Sequence, residues 1–214
     1  TPEEVSYYRE YCLHKNSKNT SFFDRLDIAT DDVLRNLIIH PKIVTEVQEI
    51  LDEVNPIYFC DSSVRIGTER YLYGFHKDCV DRFDQNGEDW KCDEYPIIRL
   101  GLYFQDHSSH SGGLALQSYS HKKVKYTGSG TVVPSKEGDL ISWYLTTNHS
   151  GNAIRFKKLG DYALPTRPVP VRLYRSMIPK FMLYGEEKKR VAIFITFAKK
   201  HPITDRYLEY LKTI

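Results

Sequence analysis

His76 and Asp78, separated by a single lysine, place an imidazole and a carboxylate two positions apart, at the end of a segment (Val64 to Phe75) that reads as a β-strand. In extended backbone, alternate side chains project to the same face. The pair can therefore offer two ligands to one divalent cation. A third ligand from elsewhere would complete the set of two histidines and one carboxylate that leaves coordination positions open on Fe(II). His149 is the candidate for that third place. By itself His-x-Asp is a short pattern that also occurs as a solvated polar pair, so its meaning depends on the elements around it.

Those elements fall into two textures. Residues 1–56 read as a helical cover. Thr1-Pro2-Glu3-Glu4 has a capping hydroxyl, a proline and first-turn acids, and opens a helix to about His14. Thr30-Asp31-Asp32 caps a second helix through Ile39. Pro41 starts a third, with Val44, Val47, Ile50, Leu51 and Val54 as its apolar stripe. From Ile57 the chain turns to short runs of β-branched and aromatic residues broken by Gly, Asp, Asn and Ser. Strands are expected over Val64–Phe75 with a bulge at Gly67, then at Ile97–Gln105, Leu114–Gln117, Thr131–Val133, Leu140–Leu145 and Val191–Ala198. In the second of these Ile98, Leu100, Leu102 and Phe104 share one face, with Arg99, Tyr103 and Gln105 on the other. Thr204 caps a closing helix over residues 201–214, its core side Tyr207, Leu208 and Leu211. The expected fold is mainly β with flanking α-helices, a double-stranded β-helix of the jelly-roll, cupin-like kind. It forms a single domain over 1–214, with the jelly roll at 57–200.

Bulk properties agree. The 214 residues can bury a core without staples, and a net charge of +2 gives no electrostatic reason to expect nucleic acid as a partner. Cys12, Cys60, Cys79 and Cys92 match no zinc spacing, nothing at the start of the chain resembles a signal peptide, and no apolar run suits a membrane span. A cytoplasmic protein is expected. The 16 Tyr and 10 Phe suit an all-β core or an aromatic pocket equally.

The chemistry-bearing stretches occur in a definite order. After His76-Lys77-Asp78 come the strand Gly113-Leu114-Ala115-Leu116 with the turn Ser120-His121-Lys122, then Gly138-Asp139-Leu140, then His149-Ser150-Gly151, and finally Arg190 before Val191-Ala192-Ile193-Phe194. This order resembles the phytanoyl-CoA dioxygenase-like family of Fe(II)/2-oxoglutarate oxygenases, over most of the chain. The resemblance implies that His76, Asp78 and His149 hold Fe(II), and that Arg190 binds the distal carboxylate of 2-oxoglutarate. Thr196, Tyr103 and Ser150 would join it around the cosubstrate, with O2 as the other reactant. A guanidinium matches a buried carboxylate with two parallel hydrogen bonds. Arg155 also follows His149, but the strand of the expected form follows Arg190. The resemblance further implies hydroxylation over halogenation, since halogenases of the group replace the carboxylate ligand by a small residue and Asp78 keeps it; desaturation or ring formation would use the same ligands.

From Arg155 through Arg190 runs a proline-rich segment with ten Lys or Arg and three acids, both end residues counted, which reads as a loop over the mouth of the site. Arg167, Arg172 and Arg175 would there meet a small, anionic substrate. The same charges also read as a solvated loop balanced by the acidic stretch Asp81–Glu94. His107, His110 and His121 read as surface histidines, Trp143 as core, and Tyr103, Gln105 and Arg99 as either facing the cofactor or capping the polar side of a sheet. Two rival functions stand beside the oxygenase: a catalytically silent jelly-roll binding domain, and a metal-dependent cupin enzyme without 2-oxoglutarate. Oligomeric state is not legible.

Overall fold

The computed structural model describes residues 1–15, 27–67, 75–108, 110, 112–126, 128, 130–156, 160–162 and 190–213. Helix α1 (Pro2–Lys15) starts where the Thr1 hydroxyl accepts from the Glu4 amide at 3.2 Å. One helix was expected from Thr30 to Ile39, but a 3-10 turn at Ile28–Thr30 precedes a shorter α2 (Arg35–Ile38). The reason is Asp31, whose carboxylate accepts from the Val33 and Leu34 amides at 2.9 Å and so folds a capped turn between the two. In α3 (Pro41–Leu51) the buried stripe is Ile43, Val47 and Leu51. Ile50 and Val54 are exposed: Asp52 takes left-handed backbone (φ 49°) and ends the helix before Val54.

The strands are β1 (Ile57–Gly67), β2 (Ile97–Tyr103), β3 (Gly113–Leu116) and β4 (Thr131–Val132), then β5 (Leu140–Tyr144), β6 (His149–Phe156), β7 (Gly160–Tyr162) and β8 (Arg190–Ala198). They form two antiparallel sheets, ordered β1-β8-β2-β5 and β4-β3-β6-β7. This is the double-stranded β-helix. Strand β8 is buried along its whole length, as a strand covered on both faces must be. Its Val191, Ile193, Ile195 and Phe197 pack with the outward Ile98, Leu100 and Leu102 of β2 against the helical cover. Its Ala192 and Phe194 face inward with Tyr103, Leu114 and Trp143, between the sheets.

The irregularity in β1 lies between Phe59 and Ser63, not at Gly67, which pairs in register with Arg190. Phe59 faces Thr196 and Ser63 faces Phe194, so β1 carries two residues more than β8 over that interval. Such a bulge re-aims side chains next to a site, and here the segment includes Asp61.

Helix α4 (Pro202–Leu211) closes one end of the sandwich through Ile203 and Tyr207. Its cap is His201, whose Nδ1 accepts from the Ile203 amide at 3.2 Å, while the Thr204 hydroxyl donates to the Lys199 carbonyl. The acidic stretch after Asp81 docks on this helix. The Asp81 and Asp89 carboxylates each accept the other residue's amide at 3.0 and 2.8 Å, and Arg206 donates to Asp81 at 2.6 Å and stands 3.8 Å from Asp89. Arg206→Leu would leave two buried carboxylates side by side without their cation. It is expected to lower stability by about 2 kcal/mol in urea unfolding, with the far-UV spectrum of the folded protein unchanged.

Candidate metal centre

The segment Phe75–Asp78 reaches the site through backbone pairing. His76 donates its amide to the His149 carbonyl at 3.0 Å and accepts the His149 amide at 2.9 Å, an isolated antiparallel bridge at the start of β6. Two residues that exchange both hydrogen bonds stand directly opposite, with side chains on the same face. The two imidazoles consequently lie with ring centroids 4.3 Å apart. Asp78, two positions on, donates its amide to the Leu145 carbonyl at 3.0 Å and brings its carboxylate back to the same face.

One ligand atom from each of His76, Asp78 and His149 lies within 4.8 Å of the others. His149 Nε2 is 3.4 Å from Asp78 Oδ2 and His76 Nε2 is 3.7 Å from Asp78 Oδ1. Because the Thr147 carbonyl, 3.1 Å from His149 Nδ1, can only accept, Nδ1 carries a proton and Nε2 is the nitrogen turned toward Asp78. Burial opposes ionisation of Asp78, but the Arg99 charge, followed by His149, outweighs it and holds the carboxyl well below the usual range. The site thus offers an ionised carboxylate, the form that metals bind, beside two imidazoles.

Lys77, between the two ligands, points to the opposite side. Its buried ammonium donates to the Ser120 carbonyl at 2.6 Å and to the Thr146 carbonyl. Burial lowers its pKa to about 8.

The other expected residues divide. Arg190 and Tyr103 come together between the sheets, the guanidinium carbon 5.8 Å from the ring centroid. The Arg190 guanidinium also packs on Gly151, where a Cβ would meet Nη1 at 3.2 Å. Gly151 is two residues past His149, roughly 7 Å along the strand. Arg155, six past His149 and opposite Asp161 in the backbone register of β6 and β7, is roughly 20 Å along it. Thr196 is fully buried on the inner face, opposite Arg99, and its hydroxyl has no hydrogen-bond partner among the described residues. Ser150 alternates to the other face of β6, and its hydroxyl donates to the Gly151 carbonyl at 3.2 Å. Arg167, Arg172 and Arg175 lie outside the described residues.

His107 is not a surface histidine. Gln105 accepts the Val191 amide at 2.7 Å, so its amide nitrogen donates to His107 Nε2 at 2.7 Å, and the ring is buried beneath Gly113. Trp143 is buried, yet its ring centroid is 5.3 Å from that of His149, so it walls the site as well as the core. Arg99 faces the site: its Nη2 donates to Asp61 at 2.7 Å and its Nε is 3.6 Å from Asp78 Oδ2. Asp61 and the Tyr207 hydroxyl, which donates to it at 2.9 Å, carried no motif that could single them out. A cavity of about 1200 Å3 opens onto His76, Asp78 and Arg99, with Arg65, Tyr126 and Tyr207 among its other walls.

No protein-family model matches the chain, and no curated protein sequence does. Solved structures do. EvdMO1 superposes with a TM-score of 0.62 at 13% identity over 92% of this chain, and the chain spans only 44% of that protein. EctD from S. alaskensis, solved with 2-oxoglutarate and 5-hydroxyectoine, gives 0.60 at 11% identity over 92% of this chain and 68% of its own. The non-heme alpha-ketoglutarate-dependent epimerase SnoN from nogalamycin biosynthesis gives 0.59 at 14% identity over 96% and 78%. At these identities the likeness is one of fold.

Lys77→Met would remove the ammonium from the Thr146 carbonyl and from the Ser120 carbonyl, which would keep only the Lys123 amide at 3.2 Å. The expected loss is about 2 kcal/mol of stability, read by urea denaturation against the parent protein.

Proposed function

We propose that this chain is a non-haem iron dioxygenase, akin to the phytanoyl-CoA dioxygenase-like enzymes, that hydroxylates a small anionic organic substrate while 2-oxoglutarate is decarboxylated to succinate and CO2. The observation that carries this reading is the convergence of His76, Asp78 and His149 on one face through the bridge at the start of β6. Two imidazoles and one carboxylate suit Fe(II) and leave positions for a chelating 2-oxo acid and O2. Bound together, these supply the oxidising chemistry.

The surrounding residues fit that occupancy. Arg190 would hold the far carboxylate of 2-oxoglutarate, lying one short step along β6 from His149, where Gly151 lets the guanidinium approach. Thr196 Oγ1 and Trp143 Nε1 are buried polar atoms without a hydrogen-bond partner among the described residues, as expected of groups that serve a ligand. Tyr103 supports Arg190 from β2. Arg65, Arg82 and Lys125 on the cavity wall, with Arg167, Arg172 and Arg175 in the basic segment, support an anionic substrate. The bound molecules named for EctD support the cosubstrate, while SnoN, an epimerase, shows that this fold does not dictate the outcome at the substrate carbon.

Anaerobic titration of the Fe(II)-loaded protein with 2-oxoglutarate is expected to give the visible charge-transfer band of a chelated 2-oxo acid. His76→Ala, Asp78→Ala and His149→Ala should each abolish it with the fold retained, and a band that persists in any of them would overturn the assignment of ligands. Arg190→Ala is expected to weaken 2-oxoglutarate by roughly 100-fold, with Arg155→Ala close to the parent. The opposite order would move the anchor to Arg155.

A further inference from the structure

Arg99 is a buried guanidinium at the metal centre that neither the ligand set nor the cosubstrate anchor accounts for. It stands in the middle of its sheet, opposite Thr196 on β8 and Trp143 on β5, so its backbone is held on both sides. The side chain is 12% exposed and that of Asp61 10%. Nη2 donates to Asp61 Oδ2 at 2.7 Å, and the same oxygen takes the Tyr207 hydroxyl at 2.9 Å. Asp61 lies in the β1 bulge, so the two extra residues of that strand supply the carboxylate that fixes Arg99 from behind. Nε has no hydrogen-bond partner among the described residues, and it lies 3.6 Å from Asp78 Oδ2.

Charge balance makes this arrangement compatible with a divalent cation. A lone guanidinium so close would repel the ion. Asp61 neutralises it, leaving the Asp78 charge for the metal and the Nε hydrogen as a directed donor. A carboxylate that binds a metal through one oxygen keeps its second oxygen free to accept, whereas one that binds through both occupies an additional coordination position.

We propose that Arg99, held by Asp61 and Tyr207, is a positioning residue that engages the outer oxygen of Asp78 and keeps this ligand bound through one oxygen, so that a position stays open for dioxygen once 2-oxoglutarate is chelated. This rests on the iron and 2-oxoglutarate reading above. It differs from a packing role in what it predicts: loss of Arg99 impairs the open position before it impairs the metal or the cosubstrate.

Nitric oxide, a dioxygen surrogate that makes Fe(II) visible by electron paramagnetic resonance, separates these outcomes. It is titrated anaerobically into the Fe(II)·2-oxoglutarate protein, beside the charge-transfer band and a thermal melt. In Arg99→Gln the band should form as in the parent, with nitric oxide affinity reduced by about tenfold or more. Asp61→Asn, which loosens Arg99 without removing it, should show the same selective loss in smaller measure, and it decides the matter if Arg99→Gln does not fold. Unchanged nitric oxide affinity in the folded variants overturns the proposal, as does parallel loss of band, iron and nitric oxide. Failure of the band in the parent protein would instead remove the oxygenase reading itself.

Discussion

The site depends on one backbone contact, the pair of hydrogen bonds exchanged between His76 and His149. Each residue alone is a histidine on an extended segment. The exchange forces the two side chains to one face and sets the separation of their rings. Asp78 follows from it, since the next same-side position of an extended chain must project where the first did, and its own amide bond to Leu145 keeps the segment extended that far. Lys77 completes the construction from behind by binding carbonyls of the Ser120 turn and of the turn that leads into β6. A slip of one residue in this pairing would exchange the lysine for the ligands.

Around that contact the two sheets do different work. The outward side of the β8-centred sheet is a continuous aliphatic layer under the helices, tolerant of exchange among residues of similar volume. The inward side mixes ring, small residue and polar group. Gly101 lets the Trp143 and Tyr103 rings approach, since a Cβ there would meet both at 3.0 Å, and Ala192 leaves room beside Tyr103. Such a face leaves buried polar atoms such as Thr196 Oγ1 without a hydrogen-bond partner among the described residues. A core selected for stability alone would not keep them.

Charge is handled by pairing rather than by exposure. Asp61, Arg99 and Asp78 form one partly buried alternating chain at the candidate metal centre, and Asp81, Asp89 and Arg206 form another under α4. Removing one member of either strands its neighbours in a poorly solvated place, which is more damaging than the pairs are stabilising. The second cluster also explains the acidic stretch after Asp81. Two of its carboxylates are committed to a helix, which leaves fewer to balance the basic segment before Arg190.

The alternation of β2, the largely apolar run of β8 and the turn residues between the short strands were enough to read the fold class from the chain, because strand periodicity records which face is buried. The His-x-Asp spacing was legible for the same reason; that His149 opens a strand of its own, β6, was not. Helix ends and the β1 bulge were less so: Asp31, Asp52 and His201 act through local hydrogen bonds and backbone angles that residue type permits but does not require. His107 was misjudged because a buried histidine is satisfied by Gln105, and that partner is fixed only by the strand that binds the other end of its amide. By itself the sequence determined the layered β architecture and the candidate ligand types, since these follow from hydrophobic period and side-chain chemistry. Only the tertiary structure decided that Arg99 faces Asp78, that Asp61 and Tyr207 stand behind it, and that Arg190 lies against Gly151, because each joins segments far apart in the chain through antiparallel register, which no local pattern encodes.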